Sequence, residues 1–303
     1  MVTFVSYLEL YISDAFNYLG GRRGEAEATN VVIGVPFDST SSFRVGARYA
    51  PERIREASQY IETYSYRAGM DFDDVDYYDA GNIATVPNVM TTLTRVERVV
   101  AELAHQEKRP IILGGEHTIT LGAIKGLIKF HPDLKVIIFD AHFDLRDEYP
   151  EGQKISHATV TRRLIDDIGS ERVLLVGVRA FSRYELEVAN SSDIRYFTSC
   201  YLNKSKYDEI IKELKNFIST SKCYISLDLD VIDPSYAPAV QNPEIEGLHP
   251  TMVLDILHAL CKDEKLVGFD IVEFTPLFDY SGTTSVLAAK IVCEVLTYTF
   301  ARD

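Results

Sequence analysis

The sequence of residues 135–144 is KVIIFDAHFD, and it carries both the fold signal and the functional signal of this chain. Residues 136–139 form an apolar run without polar alternation. Such a run is expected for a strand of a parallel sheet that has both faces covered. Polar residues begin only where this strand ends, at Asp140, His142 and Asp144. Alternate side chains of an extended segment point the same way, so we expect these three to converge.

Short β-branched runs alternate with longer amphipathic segments along the whole chain. This alternation predicts a single α/β domain over residues 1–303, with a mostly parallel central sheet of roughly eight strands. The predicted strands are residues 31–35, 75–78, 110–113, 135–140, 172–178, 194–197, 223–230 and 266–273. Predicted helices include residues 51–60, 91–106, 119–130, 205–218, 251–260 and 285–298. In residues 1–29 the apolar positions recur at helical spacing, which predicts an N-terminal helical extension at the surface or at a subunit contact.

Composition limits the classes of function. The chain has 303 residues, a net charge of −14 and a pI of about 5.0. Proteins that bind nucleic acid normally carry a basic surface, so we expect no nucleic-acid partner; a small cationic substrate suits the charge better. No apolar run reaches the ~18 residues of a membrane span, and the N-terminus lacks the basic start of a signal peptide. We therefore expect no membrane partner and a cytoplasmic protein with four reduced cysteines.

Three more predicted strands end in polar residues. Gly115-Glu116-His117 follows one strand, Asp228-Leu229-Asp230 lies at the end of another, and Glu273 ends a third. Ligands of open α/β sheets bind beyond the carboxyl ends of the strands, and buried acids there are costly unless a cation neutralises them. The four negative charges of the aspartates equal the four positive charges of two divalent cations, and the two neutral imidazoles leave this balance unchanged. The sequence therefore predicts a two-metal site with the ligands His117, Asp140, His142, Asp144, Asp228 and Asp230.

The type of ligand indicates the metal. Carboxylates with two imidazoles and no thiolate favour two Mn²⁺ ions over a structural zinc site, although affinity order leaves Zn, Co and Ni open. A second acidic cluster, between Asp71 and Asp79, lacks the glycine and terminal glutamate of an EF-hand. That cluster is predicted to be a solvated loop.

These motifs together resemble the ureohydrolase family, which includes arginase and agmatinase, and they are most similar to agmatinase. The resemblance runs from about residue 30 to residue 300. It rests on residues 114–118 (GGEHT), 140–144 (DAHFD), 156–159 (SHAT), 226–234 (SLDLDVIDP) and 272–276 (VEFTP). It implies a three-layer α/β/α fold, a binuclear Mn²⁺ centre and a trimer or hexamer. In that arrangement His117 and Asp144 would complete one metal site, His142 and Asp230 the other, and Asp140 and Asp228 would bridge both ions.

The same resemblance implies a reaction. A guanidinium carbon is a poor electrophile, and hydroxide held between two metal ions at near-neutral pH would attack it. The amine leaving group must be protonated, and His157 is similar in position to the family's proton shuttle, which makes it our candidate general acid. Glu273 would accept hydrogen bonds from the guanidinium and hold its carbon over the nucleophile.

The substrate is the least determined part. Arginases have a Gly-x-Arg-Asp segment that helps to bind the amino-acid head of arginine, whereas this chain has Ala180 at the aspartate position. That difference favours agmatine, which would be hydrolysed to putrescine and urea. Arg146 keeps guanidinobutyrate open, and the acidic residues 147–151 keep aminopropylagmatine open. Further alternatives are arginine, a formimino substrate, and an inactive oligomeric binding homologue.

Overall fold

The computed structural model describes residues 6–13, 15–20, 27–262 and 264–301. Eleven strands occur in this part of the chain, of which β3 and β4 form a separate two-stranded sheet. In chain order they are β1 (Ile12–Ser13), β2 (Asn30–Gly34), β3 (Tyr64–Ser65), β4 (Met70–Asp71), β5 (Tyr77–Ile83), β6 (Arg109–Leu113), β7 (Lys135–Phe139), β8 (Val173–Val178), β9 (Arg195–Thr198), β10 (Cys223–Asp228) and β11 (Leu266–Val272).

The other nine strands form one central sheet in the order β1-β5-β2-β6-β11-β10-β7-β8-β9. All pairs are parallel except the edge pair of β1 with β5. The eight strands predicted from the sequence are all present, and the prediction of a mostly parallel sheet of roughly eight strands is confirmed. The ninth strand of the central sheet is β1, whose two residues are too few to show a period.

Ten α-helices connect and flank the strands of the described residues. They are α1 (Tyr7–Tyr11), α2 (Ala50–Ser58), α3 (Val89–His105), α4 (Ile119–Leu127), α5 (Val160–Ile168), α6 (Arg183–Ser191), α7 (Ser199–Leu202), α8 (Tyr207–Ile218), α9 (Pro250–Cys261) and α10 (Thr283–Phe300). Within the described ranges, no helix is long and apolar enough to span a bilayer.

Hydrophobic side chains cover both faces of the sheet and make the three layers α/β/α. Alternation along β7 shows this directly: Ile137 and Phe139 belong to one buried cluster, whereas Val136 and Ile138 belong to the other. The first cluster includes side chains of α2, α8, α9 and α10, and the second includes those of α3, α4 and α5. The doubly covered parallel sheet predicted from residues 136–139 is confirmed.

The N-terminal segment combines helix and strand where it is described. Ser6 caps α1 by accepting a hydrogen bond from the Glu9 backbone N–H, and the chain then enters β1. A β-carbon at Gly81, which has a φ of 95°, would lie 2.4 Å from the Ser13 carbonyl oxygen, so glycine allows β1 to reach the sheet edge. The predicted helical extension therefore has only five residues of α-helix among its described positions.

The prediction of a solvated loop between Asp71 and Asp79 was wrong at its last residue. Alternate residues of β5 are buried, and this alternation turns Asp79 inward. Its carboxylate forms two hydrogen bonds with the Arg55 guanidinium, at 2.8 and 2.9 Å, and neither side chain is exposed. Burial of this carboxylate is tolerated because the charge is paired.

Candidate metal centre

Four neighbouring strands end at the same level of the sheet. In the order β6, β11, β10, β7, residues Leu113, Ile271, Leu227 and Phe139 lie side by side in register. The segments that follow these residues carry His117, Glu273, Asp228 with Asp230, and Asp140 with His142 and Asp144. Because parallel strands present their carboxyl ends at one edge, chain segments distant in sequence meet there.

One group of ligand atoms surrounds the imidazole of His117. Its Nδ1 atom lies 3.1 Å from Asp140 Oδ2, 3.3 Å from Asp144 Oδ2 and 3.5 Å from Asp228 Oδ2. The histidine is 1% exposed and the three aspartates are buried. The ligand atoms of His117, Asp140 and Asp144 all lie within 4.8 Å of one another, close enough to share one ion.

A second group lies beside the first and shares Asp140 with it. His142 Nδ1 is 2.9 Å from Asp230 Oδ2 and 3.5 Å from Asp140 Oδ1. These three residues again place their ligand atoms within 4.8 Å of one another. The structure therefore brings all six residues predicted as ligands into one cluster, with Asp140 between its two halves.

Backbone hydrogen bonds hold the carboxylates in place. Asp140 Oδ1 accepts from the His142 N–H at 2.6 Å, Asp230 Oδ1 from the Ala141 N–H at 3.0 Å, and Asp228 Oδ1 from the Asp230 N–H at 2.8 Å. Asp144 has a φ of 51°, a conformation uncommon for residues other than glycine. Such positions cluster at sites where the surrounding structure over-determines the backbone.

The cluster has too much negative charge without a cation. Burial and repulsion from Asp140 raise the pKa of Asp144 to about 7. Burial, with repulsion from Asp230 and Asp140, raises the pKa of Asp228 well above its usual value. Burial opposes the charged imidazolium of His117, but Asp140 and Asp144 outweigh it and raise the pKa of this histidine. All three shifts reflect a site that calls for positive charge.

Two buried polar atoms show directly that a cation fits. Among the described residues, neither His117 Nδ1 nor Asp140 Oδ2 has a hydrogen-bond partner. His117 Nε2 lies 3.1 Å from Ser226 Oγ, and Ser226 donates its own proton to Asp270 at 2.6 Å. In the neutral imidazole, Ser226 would accept from Nε2–H, and a lone pair on Nδ1 would face the carboxylate. Two such lone pairs repel unless a positive charge lies between them. The raised pKa of His117 reflects a proton held there without metal, and a metal ion would take the place of that proton.

A cavity of about 390 Å³ opens over this cluster. His157 and Glu273 both line it, together with His117, His142, Asp144, Asp228 and Asp230. Two atoms that face it, His157 Nε2 and Glu273 Oε2, are buried and lack hydrogen-bond partners within the described chain. Both predicted catalytic residues thus sit beside the predicted metal ligands and keep one polar atom available.

Comparison with known proteins agrees with this geometry. Residues 28–297 match the family described as the arginase family. An agmatinase of Bacillus cereus is 36% identical over 274 residues, which cover 89% of this chain and 91% of the relative. The chain belongs to the arginase family. A guanidinobutyrase of Pseudomonas aeruginosa is 32% identical over 271 residues, covering 87% of this chain and 84% of that protein.

Solved structures of the arginase family share the fold over nearly the whole chain. The agmatine ureohydrolase of Thermoplasma volcanium is 41% identical and superposes with a TM-score of 0.85, covering 96% of this chain and 94% of that one. Together with the curated relatives, this similarity identifies the protein as a metal-dependent amidinohydrolase. The predicted family, fold class and enzyme class are confirmed.

The arginase-family site contains residues that the sequence did not single out, one buried and one half-exposed. Asp270 accepts hydrogen bonds from Ser226, Thr120 and Tyr224, and so supports His117 through Ser226. Glu244 lines the cavity with its Oε1 atom 4.0 Å from His142 Nε2. Asp270 interrupts the apolar run of β11, and an acid inside a buried strand was the signal available to find it. Nothing in the sequence marks Glu244 among the other surface acids.

Proposed function

We propose that this enzyme hydrolyses agmatine to putrescine and urea with two Mn²⁺ ions. The carrying observation is the charge of the cavity wall outside the metal cluster. Of the described residues that line it, Glu185, Glu244 and Glu273 are acidic and Arg146 alone is basic. Such a wall favours a substrate that is cationic at both ends, as agmatine is.

Ala180 supports the same choice. Its methyl group lines the cavity, and its backbone is fixed by a hydrogen bond from its N–H to the Ala141 carbonyl at 2.9 Å. A methyl group cannot pair with the α-amino group of arginine, and an unpaired buried ammonium group is costly. A decarboxylated substrate avoids this cost because it has no amino-acid head.

The six clustered residues would hold the ions, with Asp140 and Asp228 between them. When bound, the ions would lower the pKa of a shared water molecule. They would also stabilise the negative charge that develops as this water attacks the guanidinium carbon. Carboxylate and imidazole ligands suit Mn²⁺, and the absence of cysteine from the two ligand groups found among the described residues disfavours a structural zinc site.

Glu273 would position the guanidinium group. It lies directly after β11 with a φ of 67°, and its Oε1 atom accepts the His117 backbone N–H at 2.5 Å. This contact orients the carboxylate and leaves Oε2 for the substrate. A guanidinium binds carboxylate oxygens through its planar array of N–H donors, so Glu273 would fix both the distance and the plane of the group.

His157 would carry the proton to the leaving amine. Burial and the charges of His142 and His117 lower the pKa of His157 to about 4, so its ring is neutral at pH 7. A neutral ring would accept a proton at its unpartnered Nε2 atom and then donate that proton to the leaving amine. This role of shuttle is more specific than that of a resting general acid.

Guanidinobutyrate is the second candidate, and Arg146 is the observation that favours it. The Arg146 guanidinium lies over the Tyr149 ring at 4.6 Å, and its Nε is 3.8 Å from Glu185 Oε2. These contacts use part of its charge, but its side chain is 41% exposed and lines the cavity, where it would meet a carboxylate. A guanidino acid would use this contact, whereas agmatine would not.

Urea release with added Mn²⁺ tests the proposal. Agmatine, guanidinobutyrate, arginine and aminopropylagmatine are compared by kcat/KM, and we expect agmatine to be highest. Arg146→Met should leave agmatine turnover nearly unchanged and lower kcat/KM for guanidinobutyrate. A higher kcat/KM for guanidinobutyrate in the wild-type enzyme would replace the first candidate by the second. Urea from none of the four compounds would refute both.

We further propose a single-domain, cytoplasmic homo-oligomer, a trimer or a hexamer. The support is an exposed apolar surface formed by two adjacent segments, with Phe43, Val45 and Tyr49 on one and Leu277 and Tyr280 on the other. Patches of this kind mark contact sites. The four cysteines are free thiols, as a reducing compartment requires. Light scattering after gel filtration tests the assembly, and a monomer at micromolar concentration would contradict it.

A further inference from the structure

Glu116 is a fully buried carboxylate that the proposed chemistry does not use. It precedes His117 but points away from the ligand cluster and accepts hydrogen bonds from the loop at residues 40–41. The Thr40 N–H donates to Oε2 at 2.8 Å and the Thr40 hydroxyl donates to Oε1 at 2.5 Å. Thr118 Oγ1 donates to Oε1 at 2.8 Å. Burying an ionisable group so completely is costly, and these donors offset the cost.

A backbone hydrogen bond also joins the loop after Phe37 to the segment at residues 115–117. Glu116 N–H donates to the Phe37 carbonyl at 2.8 Å, and a β-carbon at Gly115 would lie 1.9 Å from that same oxygen. Glycine at position 115 is thus required for the close approach. The loop after Phe37 is therefore tied to the segment that carries His117, through main chain as well as side chain.

Thr40 passes this tie on to His157. The His157 backbone N–H donates to Thr40 Oγ1 at 3.0 Å, and all three side chains of the chain Glu116, Thr40 and His157 are buried. The Thr40 hydroxyl has a single proton, which it donates in its hydrogen bond to Glu116. Its oxygen is then left with lone pairs that can only accept, which is what the His157 N–H requires.

We infer that Glu116 is a positioning residue that fixes His157 over the reacting atoms through the Thr40 hydroxyl. The inference deepens the proposed function and rests on it for the role of His157. Two segments 117 residues apart are joined by this contact, and His157 lies in a one-turn 3₁₀ segment. A displacement of about 1 Å in a catalytic group can lower the rate by about 10²-fold.

Glu116→Gln tests the inference while keeping the size of the side chain. The carboxylate receives donors on both oxygens, whereas an amide offers an acceptor on one side only. If its NH₂ faces Thr40 Oγ1, the threonine hydroxyl loses its acceptor and must reorient, with Thr118 Oγ1 at 3.1 Å as the neighbouring hydroxyl. If its NH₂ faces the Thr40 N–H, two donors meet and the Thr40 backbone must move. In both cases we expect Thr40 to shift, and the His157 N–H that it holds to shift with it.

The decisive measurement is a double-mutant cycle with His157→Ala, using urea release from agmatine by the Mn²⁺-loaded enzyme. We expect Glu116→Gln alone to lower kcat by about 10- to 100-fold with KM and metal content close to wild type. In the His157→Ala background the same substitution should change kcat by less than about twofold, because the residue it acts through is already gone. Equal losses in both backgrounds, or loss of metal from Glu116→Gln, would overturn the inference.

Thr40 variants keep the inference testable if Glu116→Gln does not fold. Thr40→Val removes the hydroxyl at constant shape and should reproduce the loss of kcat, whereas Thr40→Ser retains the hydroxyl and should restore most of it. Ser41→Ala is the matched control, since Ser41 Oγ lies 3.4 Å from Glu116 Oε2, whereas within the described chain it is Thr40 and not Ser41 that accepts from the His157 N–H; it should behave as wild type. Thr40→Val with wild-type kcat would overturn the inference. Wild-type protein that releases no urea from any guanidino compound would refute the proposed function instead.

Discussion

Ser226 should set the metal affinity of this enzyme without touching a metal ion. Its hydroxyl accepts from His117 Nε2 at 3.1 Å and donates to Asp270 Oδ1 at 2.6 Å. With metal bound and the imidazole neutral, this arrangement would keep the ring proton on Nε2, so that Nδ1 presents its lone pair to the ion. Ser226→Ala removes the acceptor, and the tautomer with the proton on Nδ1 then competes with metal binding.

The size of the effect follows from these two contacts. A hydrogen bond to a charged group contributes about 1.5–3 kcal/mol, and outer contacts to metal ligands typically contribute about 10- to 100-fold in affinity. These ranges agree, because tenfold in affinity corresponds to about 1.4 kcal/mol. Asp270 keeps Thr120 and Tyr224 as donors to its other oxygen, each at 2.7 Å, so the fold should survive the substitution.

Calorimetric titration of metal-free protein with Mn²⁺ measures this affinity. We expect the weaker of the two binding steps to shift at least tenfold in Ser226→Ala. Thr297→Val is a matched control, because Thr297 is equally buried and its hydroxyl donates to the Cys293 carbonyl within α10, away from the ligand cluster. An unchanged Mn²⁺ affinity in Ser226→Ala, with the control behaving as wild type, would refute the assigned tautomer.

Three other outcomes are expected. Asp228→Ala removes the ligand that we propose is shared by both ions, so metal analysis should find fewer than two Mn²⁺ per chain; retention of two would contradict the proposed bridging role. Asp79→Ala leaves the fully buried Arg55 guanidinium without its bidentate partner. It should lower the free energy of unfolding by about 3–5 kcal/mol in urea titrations followed by circular dichroism. A loss below about 1 kcal/mol would show that water or Asn82 compensates. Chelation should lower the melting temperature, and Mn²⁺ at about 100 times its Kd should restore about 2.7 kcal/mol; a melting temperature independent of Mn²⁺ would contradict the metal cluster.

Most of the fold could be predicted from the pattern of apolar residues along the chain. The strands around Val136 and Ile225 are apolar on both faces, and this signal survives any tertiary context because a parallel sheet buries both sides. Short strands, and strands with alternating exposure, were predicted less well from the sequence. The edge strand Ile12–Ser13 has no period to detect, and the inward side of β5 was hidden because Asp79 is as polar as its exposed neighbours.

The sequence alone determined the family, and it predicted the six residues that the structure brings into one cluster. Acids and imidazoles at successive strand ends are a local signal, because parallel strands present their carboxyl ends at one edge of a sheet. The extended backbone expected at these residues was wrong in part, since Leu229–Val231 is a 3₁₀ turn and Asp144 has a φ of 51°. The partners of those ligands were decided only by the tertiary structure. Ser226 meets His117 and Thr40 meets His157 across 109 and 117 residues, through strand order and loop packing that no local pattern encodes. Hydrogen bonds over such separations exist only once the sheet has set its register, and the charge of the cavity wall is likewise assembled from separate loops.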